Sequence, residues 1–256
     1  MSDMYIKPEH PTKKRKLESD GSEAAKAPAK KSRTSSRSPE PSTPTPAKYT
    51  RSDLVTLLVG PDEQELVVYG HLLAKTSEFF EVALKMEWKE GQTRIIKLPE
   101  EDAGTITHYL DFVHGQGLPT RYIKLYTDIQ KDDGEEYLVL AKLYAFGERV
   151  LDTAVRNAVM EEILRIVSLQ SDDGRILLPE DDTISTFYEA TPANSPARRL
   201  LVDLHVSYGT TYSLAFETCD MMYLADLARA FNERVEESLH TDEFRYCPLN
   251  PDDYLF

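Results

Sequence analysis

Apolar residues are sparse before residue 49 and recur at regular spacing after it. Residues 53–59 are rich in Leu, Val and Thr and predict a buried strand. Gly60-Pro61-Asp62-Glu63 is a turn cluster, and residues 65–69 predict a second strand that closes a hairpin. A helix is expected from near His71 to near Met86, carrying Leu72, Leu73, Phe79, Phe80, Ala83 and Leu84. That set leaves no wide polar face, so the helix should be covered on more than one side and sit at the centre of a small domain. Residues 93–98 predict a third strand. Pro99-Glu100-Glu101-Asp102 is a helix-start signal with carboxylates suited to the positive end of the helix dipole. The next helix places Ile106, Tyr109, Leu110 and Val113 on one stripe, and Gly115-Gln116-Gly117 stops it.

Further along, residues 121–126 predict a short strand or extended loop, and Lys131 to Gly134 a turn. Residues 135–151 carry two apolar stripes: Tyr137, Leu140, Ala141 and Tyr144 on one side, Val139, Leu143, Phe146 and Val150 on another. Two stripes mean a helix buried between neighbours. Asp152 or Thr153 can cap the following helix, where Val155, Val159, Ile163 and Ile166 recur at helical spacing. After a break at Ser171-Asp172-Asp173-Gly174, helices are expected over 182–190, 195–206 and 218–239. The last carries Met221, Leu224, Leu227, Ala228, Phe231 and Val235 as its apolar face. The aromatic-rich stretch 244–256 either docks back onto the core or presents a motif to a partner; docking is favoured, because chain ends rarely carry so much apolar surface.

Charge divides the chain at the same place as hydropathy. Residues 1–48 hold 11 Lys and Arg against 6 Asp and Glu, whereas residues 49–256 hold 19 against 38. A body that acidic repels phosphate backbones, so direct DNA binding by the folded part is not expected. The leading segment, taken as residues 1–50, is rich in Pro, Ser, Thr, Lys and Ala. It cannot bury enough apolar surface to offset chain entropy, and is expected to be disordered. Within it Lys13, Lys14, Arg15 and Lys16 form a basic tetrad after Pro11-Thr12, with a second cluster at Lys30-Lys31 and Arg33. The tetrad resembles a nuclear localisation signal, whose receptor of the importin type takes an extended basic peptide; a solubilising charge run is the plainer alternative. Ser38, Thr43 and Thr45 each precede proline and fit proline-directed phosphorylation or a Pro-rich spacer.

Four elements then carry a family resemblance: Asp53-Leu54-Val55; His71-x5-Ser77-x-Phe79-Phe80; Ile96-x-Leu98-Pro99-Glu100; and Tyr109-Leu110-x-Phe112-Val113-x-Gly115. In this order and at these spacings they resemble a BTB/POZ domain of the fungal type. The match is good over residues 51–117 and extends weakly to about 169. The resemblance implies an α+β fold, a small sheet covering a cluster of helices, over residues 51–170. Residues 171–256 would then be a helical extension. It implies protein–protein interaction and no catalysis. His71 is structural in the family, and the residues alone favour a hydrogen-bonded core histidine. Ser77 can bond backbone near a helix irregularity. Asp53, His71, Ser77, Phe79 and Phe80 together make the expected structural core motif.

Family members that recruit a cullin scaffold carry a hydrophobic-x-Glu signature between the opening helix and the following strand. The register set by Ser77 and the third strand puts Trp88-Lys89-Glu90 there, so Trp88 and Glu90 are the cullin-contact candidates the resemblance implies. Trp88 is the chain's single tryptophan, a good anchor if exposed, or else a cap on the apolar end of the helix. Family dimers often use an ordered helix and strand before the first core strand. Only Lys48 to Arg51 precede it here, which disfavours a swapped dimer and leaves a monomer or self-association through another contact.

No Gly-rich phosphate loop, His-Glu-x-x-His or Gly-x-Ser-x-Gly motif is present, and no cofactor is implied. Two cysteines, Cys219 and Cys247, cannot by themselves furnish a four-ligand zinc site. Cys247 lies near His240 in sequence, but a nucleophile–base pair is a matter of geometry. The carboxylates at 100–102 and 181–182 precede helices and are expected as caps. No apolar run reaches the ~20 residues of a membrane helix. The function expected is that of a non-enzymatic adaptor, nuclear or otherwise cytoplasmic, that joins partners to a cullin-type ubiquitin ligase. The alternative is a nuclear scaffold or transcription-associated protein with no ubiquitin role.

Overall fold

Period-two burial defines the first strand, β1 (Leu54–Val59): Val55, Leu57 and Val59 are buried, and the residues between them only partly so. It is the middle of a three-stranded sheet. β2 (Gln64–Tyr69) pairs with it antiparallel, Leu54 opposite Tyr69 and Val59 opposite Gln64. β3 (Ile95–Leu98) pairs parallel on its other side, Thr56 opposite Ile95. The computed structural model describes residues 53–119, 133–168, 176–208, 219–240 and 249–256, apart from the side chains of 133, 134 and 237–240. All belong to one unit, Ala47–Phe256. The basic tetrad Lys13 to Lys16, the proline-directed sites, the strand expected at 121–126, the break at 171–174 and Cys247 lie outside the described residues. The fold is mixed α and β, a small sheet with a larger set of helices.

Between β2 and β3 the single expected helix is in fact two short ones, α1 (Gly70–Leu73) and α2 (Glu78–Ala83), followed by a third, α3 (Lys89–Thr93). Ser77 makes the break. Its backbone is extended, and its hydroxyl accepts from Phe80 N at 3.2 Å while donating to the Val150 carbonyl at 2.6 Å. The turn at 150–152 reaches into that break, where Ser77 bridges Asp152 and the amides of Glu78 and Phe79 point at the Leu151 and Val150 carbonyls. A partner more than seventy residues away therefore decides where α2 begins.

Two members of the expected core motif face solvent instead. In α1, Gly70 and Leu73 take the buried positions one turn apart, which turns His71 outward, its ring 5.7 Å from that of Tyr69. In α2, Phe80 is fully buried, and its neighbour Phe79 lies on the opposite, exposed side with Val82. The opening helices are thus covered on one side only. Asp53 is half-buried at the start of β1, and Ser77 and Phe80 are in the core.

α4 (Ala103–Val113) begins as expected. Asp102 accepts from Thr105 N at 2.8 Å, and that backbone bond, ahead of the opposing effect of burial, holds its carboxyl below the usual aspartate range. Glu101, expected as a further cap, makes a two-pronged pair with Arg149 instead, each contact 2.6 Å. Ile106, Tyr109 and Leu110 are buried, and Gly115 ends the element with φ +82°.

Both stripes of α5 (Asp133–Arg149) are occupied. Tyr137, Leu140, Ala141, Tyr144, Leu143 and Phe146 are all buried, and Val139 is half-buried. One side meets Tyr109 and Phe80, the Tyr109 and Phe146 rings crossing edge-to-face at 4.9 Å. The other meets α7 (Asp181–Ala190), with Tyr144 5.1 Å from Phe187 and the Tyr137 hydroxyl on the Leu177 carbonyl. α6 (Thr153–Ser168) buries Val155, Val159, Ile163 and Ile166 as its spacing predicts.

α8 (Pro196–Tyr208) is tied to α7 through Arg198. Its guanidinium donates to the carbonyls of Tyr188 and Thr191 and lies 4.3 Å over the Tyr188 ring. α9 (Met221–His240) differs from expectation: Tyr223 and Leu227 are buried, while Met221, Phe231 and Val235 of the predicted apolar face are exposed. Residues 249–256 dock back as favoured, with Tyr254 buried and a 3₁₀ turn at Pro251–Asp253.

Candidate protein-interaction surface

Ten residues after α2 begins, the chain has shown four large apolar side chains to solvent. Phe79 and Val82, three apart on α2, are 39% and 44% exposed; Met86 and Trp88, in the turn that follows, are 66% and 54% exposed. Isolated exposed apolar residues are ordinary, but four in one short stretch, beside a helix whose other face is core, are the composition of an interaction site. The turn is held by its own backbone: Lys85 N donates to Val82 O, Trp88 N to Lys85 O, and Gln92 N to Trp88 O, all within 3.1 Å. The Gln92 side chain closes it by donating to the Met86 carbonyl at 2.9 Å.

Trp88 is the N-cap of α3, in extended conformation, and its side chain caps nothing. Lys89 follows exposed, and Glu90 lies half-buried in the first turn, its carbonyl accepting from Arg94 N at 2.8 Å. Arg94 ends α3 in the left-handed region, φ 58°, and redirects the chain into β3. Trp88 and Glu90 therefore lie two residues apart on a hydrogen-bonded turn, among the exposed charges Glu78, Glu81, Lys85, Glu87 and Lys89. Such a surface is an apolar cluster with a rim of mixed charge. Phe79, Val82 and Met86 escaped sequence reasoning because their apolarity reads as core.

The side chains that looked chemical are used structurally. The Ser77 hydroxyl has its proton on the Val150 carbonyl and its lone pair on Phe80 N, so both functions are engaged. Thr76 donates to Asp152 Oδ2 at 2.6 Å and Tyr109 does so at 2.7 Å; Oδ1 of the same buried carboxylate accepts from the amides of Ala154 and Val155. Cys219 is buried in the helical region, and burial first, then the Asp181 charge, pushes its thiol up to about 11, which keeps it protonated and unreactive. Nearby, His205 is buried with its Nδ1 on the Leu201 carbonyl, and burial holds its pKa below the ordinary histidine value. Among the described residues no group of three or more His, Cys, Asp or Glu side chains could hold a metal ion, and no helix is long and apolar enough to cross a membrane. No family model matches the chain, and no curated protein does so either.

Proposed function

We propose that residues 51–170 are a BTB/POZ domain of the fungal type and that the protein is a non-enzymatic adaptor, recruiting a cullin-type scaffold through Trp88 and Glu90. The observation that carries this reading is the exposure of Trp88 at the position where the family register puts the hydrophobic-x-Glu signature. The element order supports it: hairpin, short helices, a third strand parallel to the first, then α4, α5 and α6. The exposed Phe79, Val82 and Met86 extend the surface beyond a three-residue motif.

The test is recovery of a purified cullin by the immobilised full chain. Trp88→Ala should lower affinity by about thirty-fold, the effect of losing a hot-spot aromatic worth about 2 kcal/mol, and Glu90→Arg should lower it as well. Equal recovery by wild type and both variants sinks the site. No recovery even by wild type favours the scaffold reading, in which the same surface serves another protein.

The basic tetrad is proposed as the import signal of this adaptor. Replacing Lys13, Lys14, Arg15 and Lys16 with alanine should move a fluorescent fusion from nucleus to cytoplasm, and unchanged distribution would refute the assignment.

A further inference from the structure

Residues 249–256 are held through their main chain as well as their side chains by residues of α6 and α8. The Asn157 amide reads both backbone groups of Phe256: its Oδ1 accepts from Phe256 N at 3.0 Å, and its Nδ2 donates to Phe256 O at 3.3 Å. Arg199 donates to the Asp253 carbonyl at 3.1 Å. Those contacts engage main-chain groups and do not depend on the side chains of Asp253 or Phe256. Selectivity comes from two side chains. Tyr254 is buried, with its hydroxyl donating to Asp203 Oδ2 at 2.8 Å. The Phe256 ring lies 4.1 Å under the Arg156 guanidinium, which Glu148 and Thr153 hold in place. A turn capped by Asn250 presents this Tyr-Leu-Phe triplet, and the segment's own Leu249 and Pro251 close a recess of about 350 Å³ against Glu161, Leu164, Arg165 and Tyr208. Main-chain capture by fixed side chains, with a buried site for Tyr254 and a surface cation–π contact for the half-exposed Phe256, is the chemistry of peptide recognition.

We propose that the α6–α8 face is a peptide-binding groove, that residues 249–256 are its resident ligand in cis, and that the groove's second occupant is a partner segment of the same pattern, an acidic turn followed by Tyr, an aliphatic residue and Phe. It shares no residue with the Trp88 surface and does not depend on how that surface is used. An adaptor with this groove has a second docking site whose availability is set by competition with its own chain, since a tethered ligand acts at an effective concentration of about millimolar.

The experiment uses the full chain and a fluorescent synthetic peptide of residues 249–256. The double variant Tyr254→Ala/Phe256→Ala weakens the cis ligand and leaves every groove residue in place. It should bind the peptide on the order of ten-fold more tightly than wild type, because the competent fraction of grooves rises. Adding Asn157→Ala and Asp203→Ala should bring binding back to the wild-type level or below. Equal binding by wild type and double variant overturns the proposal, as does loss of cooperative unfolding in the double variant, which would make the segment part of the core. An independent check needs no change in the segment: Asn157→Asp should speed amide exchange at 254–256 without altering the melting temperature, and unchanged protection would also overturn it. A wild-type dimer that the double variant loses would assign the groove to exchange between copies and overturn the cis assignment.

Discussion

Asp152→Ala should destabilise the protein by about 2–4 kcal/mol, the largest loss expected from any single substitution argued here. Its carboxylate is fully buried and accepts four hydrogen bonds: two from the amides that open α6 and one each from the hydroxyls of Thr76 and Tyr109. Loss of the cap on α6 costs about 1 kcal/mol, and a buried donor left without an acceptor costs about 1–3 kcal/mol. Tyr109 is the donor that cannot turn to water, being fully buried between Phe80 and Phe146. Burial, and after it the Asp152 charge, raises the pKa of its phenol, which favours the protonated, donating form. Against a total of about 5–15 kcal/mol the loss leaves the fold marginal.

Urea denaturation measures this directly, as a fall in midpoint with little change in slope. Adding Tyr109→Phe to Asp152→Ala should recover part of the loss, because the stranded hydroxyl goes with its partner; the cycle isolates their coupling. A loss below about 1 kcal/mol for Asp152→Ala would mean that water replaces the carboxylate and that the hub is not what joins the α1–α2 turn, α4 and α6.

Asp152 also shows what the sequence makes legible. An aspartate just before an apolar helical stripe reads as a cap from local pattern, and it is one. Its other two donors come from 76 and 43 residues away, and no spacing rule reaches that far. The two stripes of α5 are readable because a helix buried on two sides carries apolar residues on both and leaves only a narrow polar strip, with Lys142, exposed. The same reasoning failed on the opening corner. Phe79 and Val82 have the hydrophobicity of core residues, and a sequence cannot tell a face covered by the protein's own chain from one left exposed. Ser77 reads as a residue that bonds backbone, but the Val150 carbonyl that splits the helix there is non-local. On α9 the period located the helix but not its orientation, because Tyr223 and Leu227 turn to the core and rotate Met221, Phe231 and Val235 away. The aromatic content of 244–256 pointed to docking, yet the amide of Asn157 and the carboxylate of Asp203 that receive it carry no signal of their own.

Gly91→Ala should impair the Trp88 surface while leaving Trp88 itself in place. Gly91 is buried in α3, and a Cβ there would stand 2.1 Å from the Lys85 carbonyl oxygen and 2.5 Å from its carbon. Both are backbone atoms, so no rotamer change relieves the contact. Helix propensity acts the other way, since alanine is better than glycine inside a helix by about 1 kcal/mol. A contact that short decides the sign, and forced repacking costs about 1–3 kcal/mol. What must move is the turn closed by Trp88 N on Lys85 O and by the Gln92 side chain on Met86 O, which carries both exposed anchors. Because the chain has one tryptophan, its emission reports this turn alone. The expected result is a lower denaturation midpoint, a shifted emission maximum and reduced cullin recovery together. Trp88→Ala, at an exposed position, should instead lose recovery with stability within about 0.5 kcal/mol of wild type. If Gly91→Ala keeps the wild-type midpoint and emission, the turn accommodates a methyl group and does not fix Trp88. If it moves both and recovery is unaffected, the partner does not read Trp88 in the orientation this turn imposes.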